Sequence, residues 1–422
     1  MRSSAPIDAA GGWAYTCAWC GTPHPPSHVD YCRACGSPVV AERREFPARV
    51  GEPYGRALGE GPRGSGIWRY ADHLPLERSS SWLSMGEGMT PVVSAPALAE
   101  RVGAGEVWLL LDHLEPTGSF KDRAAAAGVA HAVAHKMPAV VCASSGNAAA
   151  SAAAYAARAG LRAVIMVPEA TPPGKLAAIS AHGPVVLAVP GDYSHSFALA
   201  RRLCDESGLT NLATTYVNPV AVAALRSVAF DLYEQLRAPI DWVHVPTGSG
   251  PLAHGVAAGA RDLVRLGLAT TTPRLVVDQA AGCAPIAEAF ARGAPEVSPW
   301  GEVTTGVSGI NDPLRGYVGD GTLTLREVRA SGGCAQALPD GTILEARRLL
   351  AEDHGIFVEP AAAASVAGLL RLGEQGAYDS DHRVVCLLTG HGLKTASASV
   401  VEVPVVARVE DAVDVLAKAG LT

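Results

Sequence analysis

The sequence predicts an α/β fold with a largely parallel sheet covered on both faces, preceded by a small cysteine-rich module. Three observations carry this. After Pro91, short Val/Ile/Leu runs alternate with Ala- and Leu-patterned segments of helical period; four cysteines pair near the N-terminus; and 48% of the 422 residues are apolar. That size is a prior for two or three domains with ample buried core. Only 18% of residues are charged, and 34 Lys+Arg against 41 Asp+Glu leave a net charge of −7. Such a balance argues against nucleic acid or an anionic membrane as the main partner and for a small soluble ligand. The Ala-rich run at 148–161 is interrupted by Arg158 and is too weakly apolar for a membrane span. Met1-Arg2-Ser3-Ser4-Ala5-Pro6 lacks the apolar core of a secretory signal, so a cytoplasmic protein is expected.

In chain order, Cys17-x-x-Cys20 and Cys32-x-x-Cys35 come first, eleven residues apart. Two ligands per tight turn let four thiolates converge on one tetrahedral ion, so a structural Zn(2+) is predicted. Gly21 and Gly36 follow the pairs, where each turn favours a residue without a Cβ. A disulfide pairing is the competing reading, disfavoured in a cytosolic chain. His24 and His28 lie between the knuckles and could replace a cysteine; Cys142, Cys204, Cys283, Cys334 and Cys386 have no such spacing and read as small core residues.

Pro and Gly concentrate at 47–66, which reads as an extended arm. Strands are then predicted at 107–111, 139–143, 162–167, 185–189, 242–246, 274–277 and 383–388, and helices at 121–135, 147–159, 194–206, 219–237 and 251–266. No repeat of solenoid length appears. In sheets of this kind ligands sit beyond the carboxyl ends of strands, so the strand-to-helix turns are the places for chemistry.

Four turns stand out. In Glu115-Pro116-Thr117-Gly118-Ser119-Phe120-Lys121-Asp122-Arg123 a lysine opens a helix. The positive helix end and partial burial lower an amine's pKa, as Schiff-base chemistry needs, although a solvated first turn has the same composition. Ser144-Ser145-Gly146-Asn147 offers hydroxyls, free N–H groups and an amide to a carboxylate and a planar ligand oxygen, or simply caps a helix. Thr247-Gly248-Ser249-Gly250-Pro251-Leu252 can turn backbone N–H groups onto a phosphate. It is neither a Walker loop nor a dinucleotide fingerprint, and taken alone it is an ordinary glycine-rich turn. Thr389-Gly390-His391-Gly392-Leu393-Lys394 puts a hydroxyl at the end of the last strand.

Taken together and in order, E-P-T-G-S-F-K-D-R, A-S-S-G-N, the glycine loop and L-T-G-H-G-L-K resemble threonine synthase and its relatives, pyridoxal-phosphate enzymes of the tryptophan-synthase-β-like fold type II. The resemblance extends to G-I-W-R-Y (66–70), M-G-E-G-M-T-P (85–91), V-P-E-A-T-P-P-G-K-L (167–176), V-E-P-A-A-A-A-S-V-A-G-L (358–369) and the paired knuckles. It implies two three-layer α/β domains plus an N-terminal zinc-ribbon-like module. The division is a zinc-knuckle module at 1–45, an arm and the start of the large domain at 46–110, a smaller domain with Lys121 and the S-S-G-N loop at 111–225, and a large cofactor-binding domain at 226–422. By the same resemblance Lys121 forms the internal aldimine with pyridoxal 5'-phosphate and moves protons, Asn147 contacts the ring hydroxyl, Gly248, Ser249, Gly250, Pro251 and Leu252 grip the phosphate, and Thr389 meets the pyridine nitrogen. Ser144 and Ser145 would hold the substrate carboxylate. A homodimer acting on a small amino acid is expected.

Some residues depart from the family wording. Ala223-Ala224-Leu225-Arg226-Ser227 replaces a charged segment after Asn218-Pro219, Met89 stands at a commonly polar place, and Gly306–Arg315 is unusual. For a phosphorylated substrate, Ser119, Lys175 and Arg226 are the candidate phosphate ligands. As plain structure, Lys175 is a helix first turn and Arg226 a mid-helix surface charge. The expected activity is elimination or replacement on O-phosphohomoserine or a similar activated amino acid. Alternatives are a cysteate-synthase-like β-replacement, a nicotinamide-dependent oxidoreductase using the 246–252 turn, and a non-catalytic binding protein with a zinc-mediated partner surface.

Overall fold

The computed structural model describes residues 12–27, 29–44, 66–75, 83–213, 215–395, 404, 406 and 408–418. His28 and all of the arm read at 47–66 except Gly66 lie outside them. The cysteine-rich segment forms an antiparallel sheet of β1 (Trp13–Cys17), β2 (Pro23–His24) and β3 (Val39–Arg43), ordered β2-β1-β3. A 3-10 segment, Gly66–His73, follows.

The chain then lays down β4 (Val92–Ser94), α1 (Pro96–Val102) and β5 (Glu106–Leu110), which start the larger sheet. It leaves through α2 (Lys121–Ala134) to build a second sheet from β6 (Ala139–Ala143), α3 (Asn147–Arg158), β7 (Arg162–Pro168), α4 (Pro173–Ser180), β8 (Val185–Val189), α5 (Tyr193–Ser207) and β9 (Thr210–Asn211). After α6 (Pro219–Ala224) and α7 (Ser227–Leu236) it returns through β10 (Trp242–Pro246), α8 (Pro251–Arg265), β11 (Arg274–Ala280), α9 (Pro285–Ala291), α10 (Val318–Ala330), β12 (Cys334–Leu338), α11 (Asp340–His354), α12 (Pro360–Glu374) and β13 (Arg383–Leu387); α13 (Val409–Lys418) comes last.

The larger sheet runs β12-β11-β10-β13-β5-β4, parallel except for β4, and the smaller runs β8-β7-β6-β9, all parallel. Both faces of the central strands are covered by helices, which is why β6 and β10 are buried at every residue rather than at alternate ones. Each sheet has one point where the chain reverses its direction of travel across the strands. In the smaller sheet it lies beside β6, which is flanked by β7 and β9; in the larger, between β10 and β13. A crevice opens beyond the carboxyl ends of strands at such points. The turns after β6, β10 and β13 are the ones that carry 144–147, 247–250 and 389–390.

Each strand and helix predicted from the pattern is present, with one correction. The segment at 219–237 is two helices, broken at Leu225 and Arg226. The break lies where α8 packs closest: a Cβ at Gly255 of α8 would stand 2.4 Å from Leu225 Cβ, and one at Gly259 2.6 Å from the Arg226 carbonyl oxygen. Strands β4, β9 and β12 are short or weakly patterned and went unforeseen; Cys-Ala-Gln-Ala-Leu of β12 pairs because β11 offers it a parallel edge.

Candidate active site

An antiparallel bridge of two backbone hydrogen bonds stitches the lysine turn to the turn after β13. Ser119 bridges Gly390, the Phe120 N–H donates to the Thr389 carbonyl at 3.1 Å, and the His391 N–H donates to the Gly118 carbonyl at 2.9 Å. Lys121, at the first position of α2, therefore stands next to the buried Thr389. Lys121 is half-buried, with Nζ 4.2 Å from the centroid of the Phe120 ring. A cavity beside it is walled by Phe120, Ala148, Leu212, Ala221, Leu225 and Pro251. These walls cannot solvate an ammonium, and desolvation lowers the Lys121 pKa from 10.5 to about 7, opposed in part by Cys142, Asp312 and Glu359. The amine is thus about half neutral, and nucleophilic in that form, near pH 7.

Lys121, Ala148 and Pro251, which line this cavity, belong to the first turns of α2, α3 and α8. First-turn N–H groups have no intrahelical acceptor, so the positive ends of three helices adjoin this one space. At α8 the N-cap Gly250 has φ +108° and no side-chain cap; a Cβ there would stand 1.9 Å from Thr324 Oγ1. Only glycine fits. The turn's carbonyls are held by the protein: Gln279 Nε2 donates to those of Thr247 (3.3 Å) and Gly248 (3.1 Å), Thr324 Oγ1 to that of Ser249 (2.9 Å), and Tyr216 OH to that of Gly250 (3.2 Å). With its acceptors engaged, the turn is left to present donors, the arrangement an anionic phosphate requires. Ser249 also bonds Asp312, whose carboxyl burial pushes upward in pKa.

After β6, Ser144 and Ser145 are half-buried, Ser144 Oγ accepts from the Gly146 N–H at 3.2 Å, and Asn147 opens α3. Asn147 Nδ2 donates to both carboxylate oxygens of Glu359, at 2.9 and 3.0 Å. Glu359 N-caps α12, and a Cβ at Gly390 would stand 2.7 Å from its Oε2. Burial raises its carboxyl pKa, while Asn147, Lys394, Lys175 and Lys121 pull it down. Glu359 is a site residue the sequence reading passed over, though it stands inside V-E-P-A; so are Gln279, Thr324 and Tyr216 beneath the glycine turn.

Of the three groups expected on a substrate phosphate, two remain available. Ser119 Oγ, two residues before Lys121, is buried without a hydrogen-bond partner. Lys175 is exposed at the start of α4 and reaches across the cleft to Ser308 Oγ at 3.5 Å. Arg226 is elsewhere. It is neither a surface charge nor in the cleft: fully buried, it donates to Asp262 at 3.1 Å and to the Ala41 carbonyl at 2.8 Å, pairs with Glu42, and lies over the Trp13 ring. The chain uses this guanidinium to fasten β1 and β3 to α7 and α8.

Cys17, Cys20, Cys32 and Cys35 converge, with Sγ separations of 3.4 Å (Cys17–Cys35), 3.6 Å (Cys20–Cys32) and 3.5 Å (Cys20–Cys35). All four are free thiols. A tetrahedron with Zn–S bonds of about 2.3 Å has edges of roughly 3.8 Å, so the cluster is close to the size of one zinc ion. Gly21 and Gly36 adopt φ of +69° and +70°, and their N–H groups close the two knuckles on the Cys17 and Cys32 carbonyls.

A family model described as pyridoxal-phosphate dependent enzyme matches residues 83–390. The chain is 34% identical over 390 residues to the threonine synthase of Methanocaldococcus jannaschii, covering 91% of this chain and 93% of that protein. It is 36% identical over 332 residues to the threonine synthase of Methanosarcina acetivorans, covering 78% and 80%. Among solved structures, maize serine racemase superposes with a TM-score of 0.61 at 24% identity, over 72% of this chain and 89% of that one. The processed form of threonine deaminase isoform 2 from Solanum lycopersicum gives 0.62 at 20% identity, over 72% and 84%.

Proposed function

We propose, from the premise that this chain belongs to the family of pyridoxal-phosphate dependent enzymes, that it carries out a threonine synthase-type reaction on a phosphorylated amino acid, O-phosphohomoserine. The observation that supports the reading is Lys121, its amine lowered by burial to about 7, lining one cavity with Pro251 at the N-terminus of α8, on a turn backbone-bonded to that of Thr389.

The residues fit the cofactor. The turn Gly248-Ser249-Gly250-Pro251-Leu252 would hold its phosphate, Asn147 and Thr389 polar atoms of its ring, and Lys121 its aldehyde carbon. When bound, the group supplies an electron sink for the carbanion chemistry that the amino acid's α-carbon and its neighbours require. The chain's own residues do the rest. Lys121, neutral above about pH 7, accepts the α-proton and returns protons along the carbon chain. Ser144, Ser145 and the α3 N-terminus orient the substrate carboxylate. Ser119 and Lys175 would supply donors to a leaving phosphate. In balance, Cβ gives up a proton, the Cγ–O bond breaks with its electron pair leaving on phosphate, which takes up that proton, and water adds hydroxyl at Cβ and a proton at Cγ.

A neutral hydroxyl at Thr389, rather than a carboxylate, would leave a bound pyridine nitrogen largely unprotonated and the sink mild, which suits elimination and replacement. A nicotinamide oxidoreductase gives Lys121 and the orphaned Ser119 no part. Phosphate release separates the leading substrates: turnover of O-phosphohomoserine with formation of threonine is expected, and release only from O-phosphoserine would move the assignment to β-replacement.

For the N-terminal module we propose a structural Zn(2+) held by Cys17, Cys20, Cys32 and Cys35. Replacing Cys17 and Cys20 by serine should remove about one zinc per chain; unchanged metal content would refute it.

A further inference from the structure

A continuous run of buried hydrogen bonds joins the cysteine module to the glycine turn. Tyr31 directly precedes Cys32. Its ring is buried under Arg201, whose guanidinium lies 4.8 Å from the ring centroid and is held by Asp30 through two hydrogen bonds. The Tyr31 hydroxyl donates to Asp320 Oδ2 at 3.0 Å, and the same oxygen accepts the Tyr216 N–H at 3.1 Å. One turn along α10, Thr324 Oγ1 stands 2.9 Å from the Ser249 carbonyl and 3.0 Å from the Tyr216 hydroxyl, which donates to the Gly250 carbonyl at 3.2 Å. Asp320, Tyr216 and Thr324 are all fully buried.

Two features make this run stiff. Asp320 has few donors to spare: its other oxygen, Oδ1, is buried without a hydrogen-bond partner, so the Tyr31 hydroxyl supplies one of the bonds that keep the carboxyl in place. Thr324 also touches the turn without slack, since a Cβ at Gly250 would stand 1.9 Å from its Oγ1. A displacement of α10 at Asp320 is therefore passed to the carbonyls of 249 and 250, and so to the direction of the adjoining N–H groups.

We infer that Tyr31 is a positioning residue for the phosphate-binding turn, and that occupancy of the four-cysteine site is coupled through Tyr31, Asp320, Tyr216 and Thr324 to affinity for the cofactor phosphate. The inference rests on the reading of the site given under Proposed function. Tyr31 touches neither cofactor nor substrate; it acts through Asp320. The module is then a brace for the cofactor site as well as a cap on the fold.

The test uses the full-length protein. Tyr31→Phe keeps the ring and deletes the hydroxyl; Thr324→Val deletes the next hydroxyl in the run at nearly constant volume. Zinc content, pyridoxal-phosphate affinity by absorbance titration of cofactor-free protein, and inorganic phosphate affinity by competition are measured for each. Both variants should keep about one zinc per chain while losing about 5- to 10-fold in affinity for both ligands, the effect of one buried hydrogen bond. The double variant should lose less than the product of the two, because both act on one element. Chelating the metal from the wild type should weaken ligand binding, and should weaken it less in Tyr31→Phe. Zinc-loaded Tyr31→Phe that binds both ligands within twofold of the wild type would overturn the coupling. Wild-type protein that takes up inorganic phosphate but no pyridoxal phosphate would instead overturn the reading of the site.

Discussion

Arg123→Met should be among the most destabilising single changes in the chain. The guanidinium is fully buried and meets three carboxylates: Asp112 at 2.8 Å, Glu115 at 3.0 Å and Asp231 at 2.6 Å. Those acids in turn hold other groups. Asp231 accepts from Tyr70 OH (2.6 Å) and the Met89 N–H (2.7 Å), Glu115 from the Gly88 N–H, and Asp112 from Thr90 Oγ1 (2.6 Å). Methionine fills the volume but leaves the acids without their counter-charge, and breaking one partner out of a buried pair costs about 3–5 kcal/mol. For a chain of this size that is a fall in Tm of roughly 3–6 °C. The penalty depends on pH with a definite sign. Even beside Arg123, burial holds the Glu115 carboxyl well above its usual range, and without the cation it rises further. A carboxyl whose folded-state pKa is raised contributes its stability at low pH and loses it as pH increases through that pKa. The gap between variant and wild type should therefore narrow by about 1.4 kcal/mol per pH unit for each carboxyl that takes up a proton, on moving from pH 8 to pH 5.5. Urea unfolding at the two pH values reads both effects. A penalty under about 1 kcal/mol, or one that is equal at both pH values, would refute the reasoning.

Three more outcomes follow from the geometry. In cofactor-free protein, labelling of Lys121 by an amine-directed reagent should rise through a midpoint near 7 rather than 10.5, and borohydride should fix pyridoxal phosphate on the peptide that contains it; a midpoint near 10 would show an ordinary solvated lysine. Gly250→Ala forces a left-handed backbone and a Cβ into Thr324, so a loss of about 2 kcal/mol or more in stability and at least tenfold in cofactor affinity is expected, and wild-type behaviour in both would discount the tight turn. Arg226→Met should cost about 3–5 kcal/mol through the stranded Asp262 with KM for the phosphorylated substrate unchanged; a raised KM on an undiminished fold would return Arg226 to the cleft.

Much of this protein is local and was readable from order and spacing. Strand β6 could be seen because five consecutive apolar residues need burial on both faces, and the knuckles because Cys-x-x-Cys followed by glycine specifies its own turn. Lys121, Ser119 and the 247–252 turn could be marked because helix starts after strands are where backbone donors stay free. What a residue meets across the fold was not local. Arg226 reads as a helix-surface cation until β3 is placed over it, and Glu359 as part of an apolar helix start until Asn147, more than two hundred residues earlier, is brought to 2.9 Å. The lowered amine of Lys121, the engaged carbonyls of the glycine turn and the Tyr31–Asp320 bond all come from the same source. Sequence period fixes which face of an element is buried, whereas desolvation and long-range hydrogen bonds depend on the neighbour that buries it, and only tertiary packing chooses that neighbour.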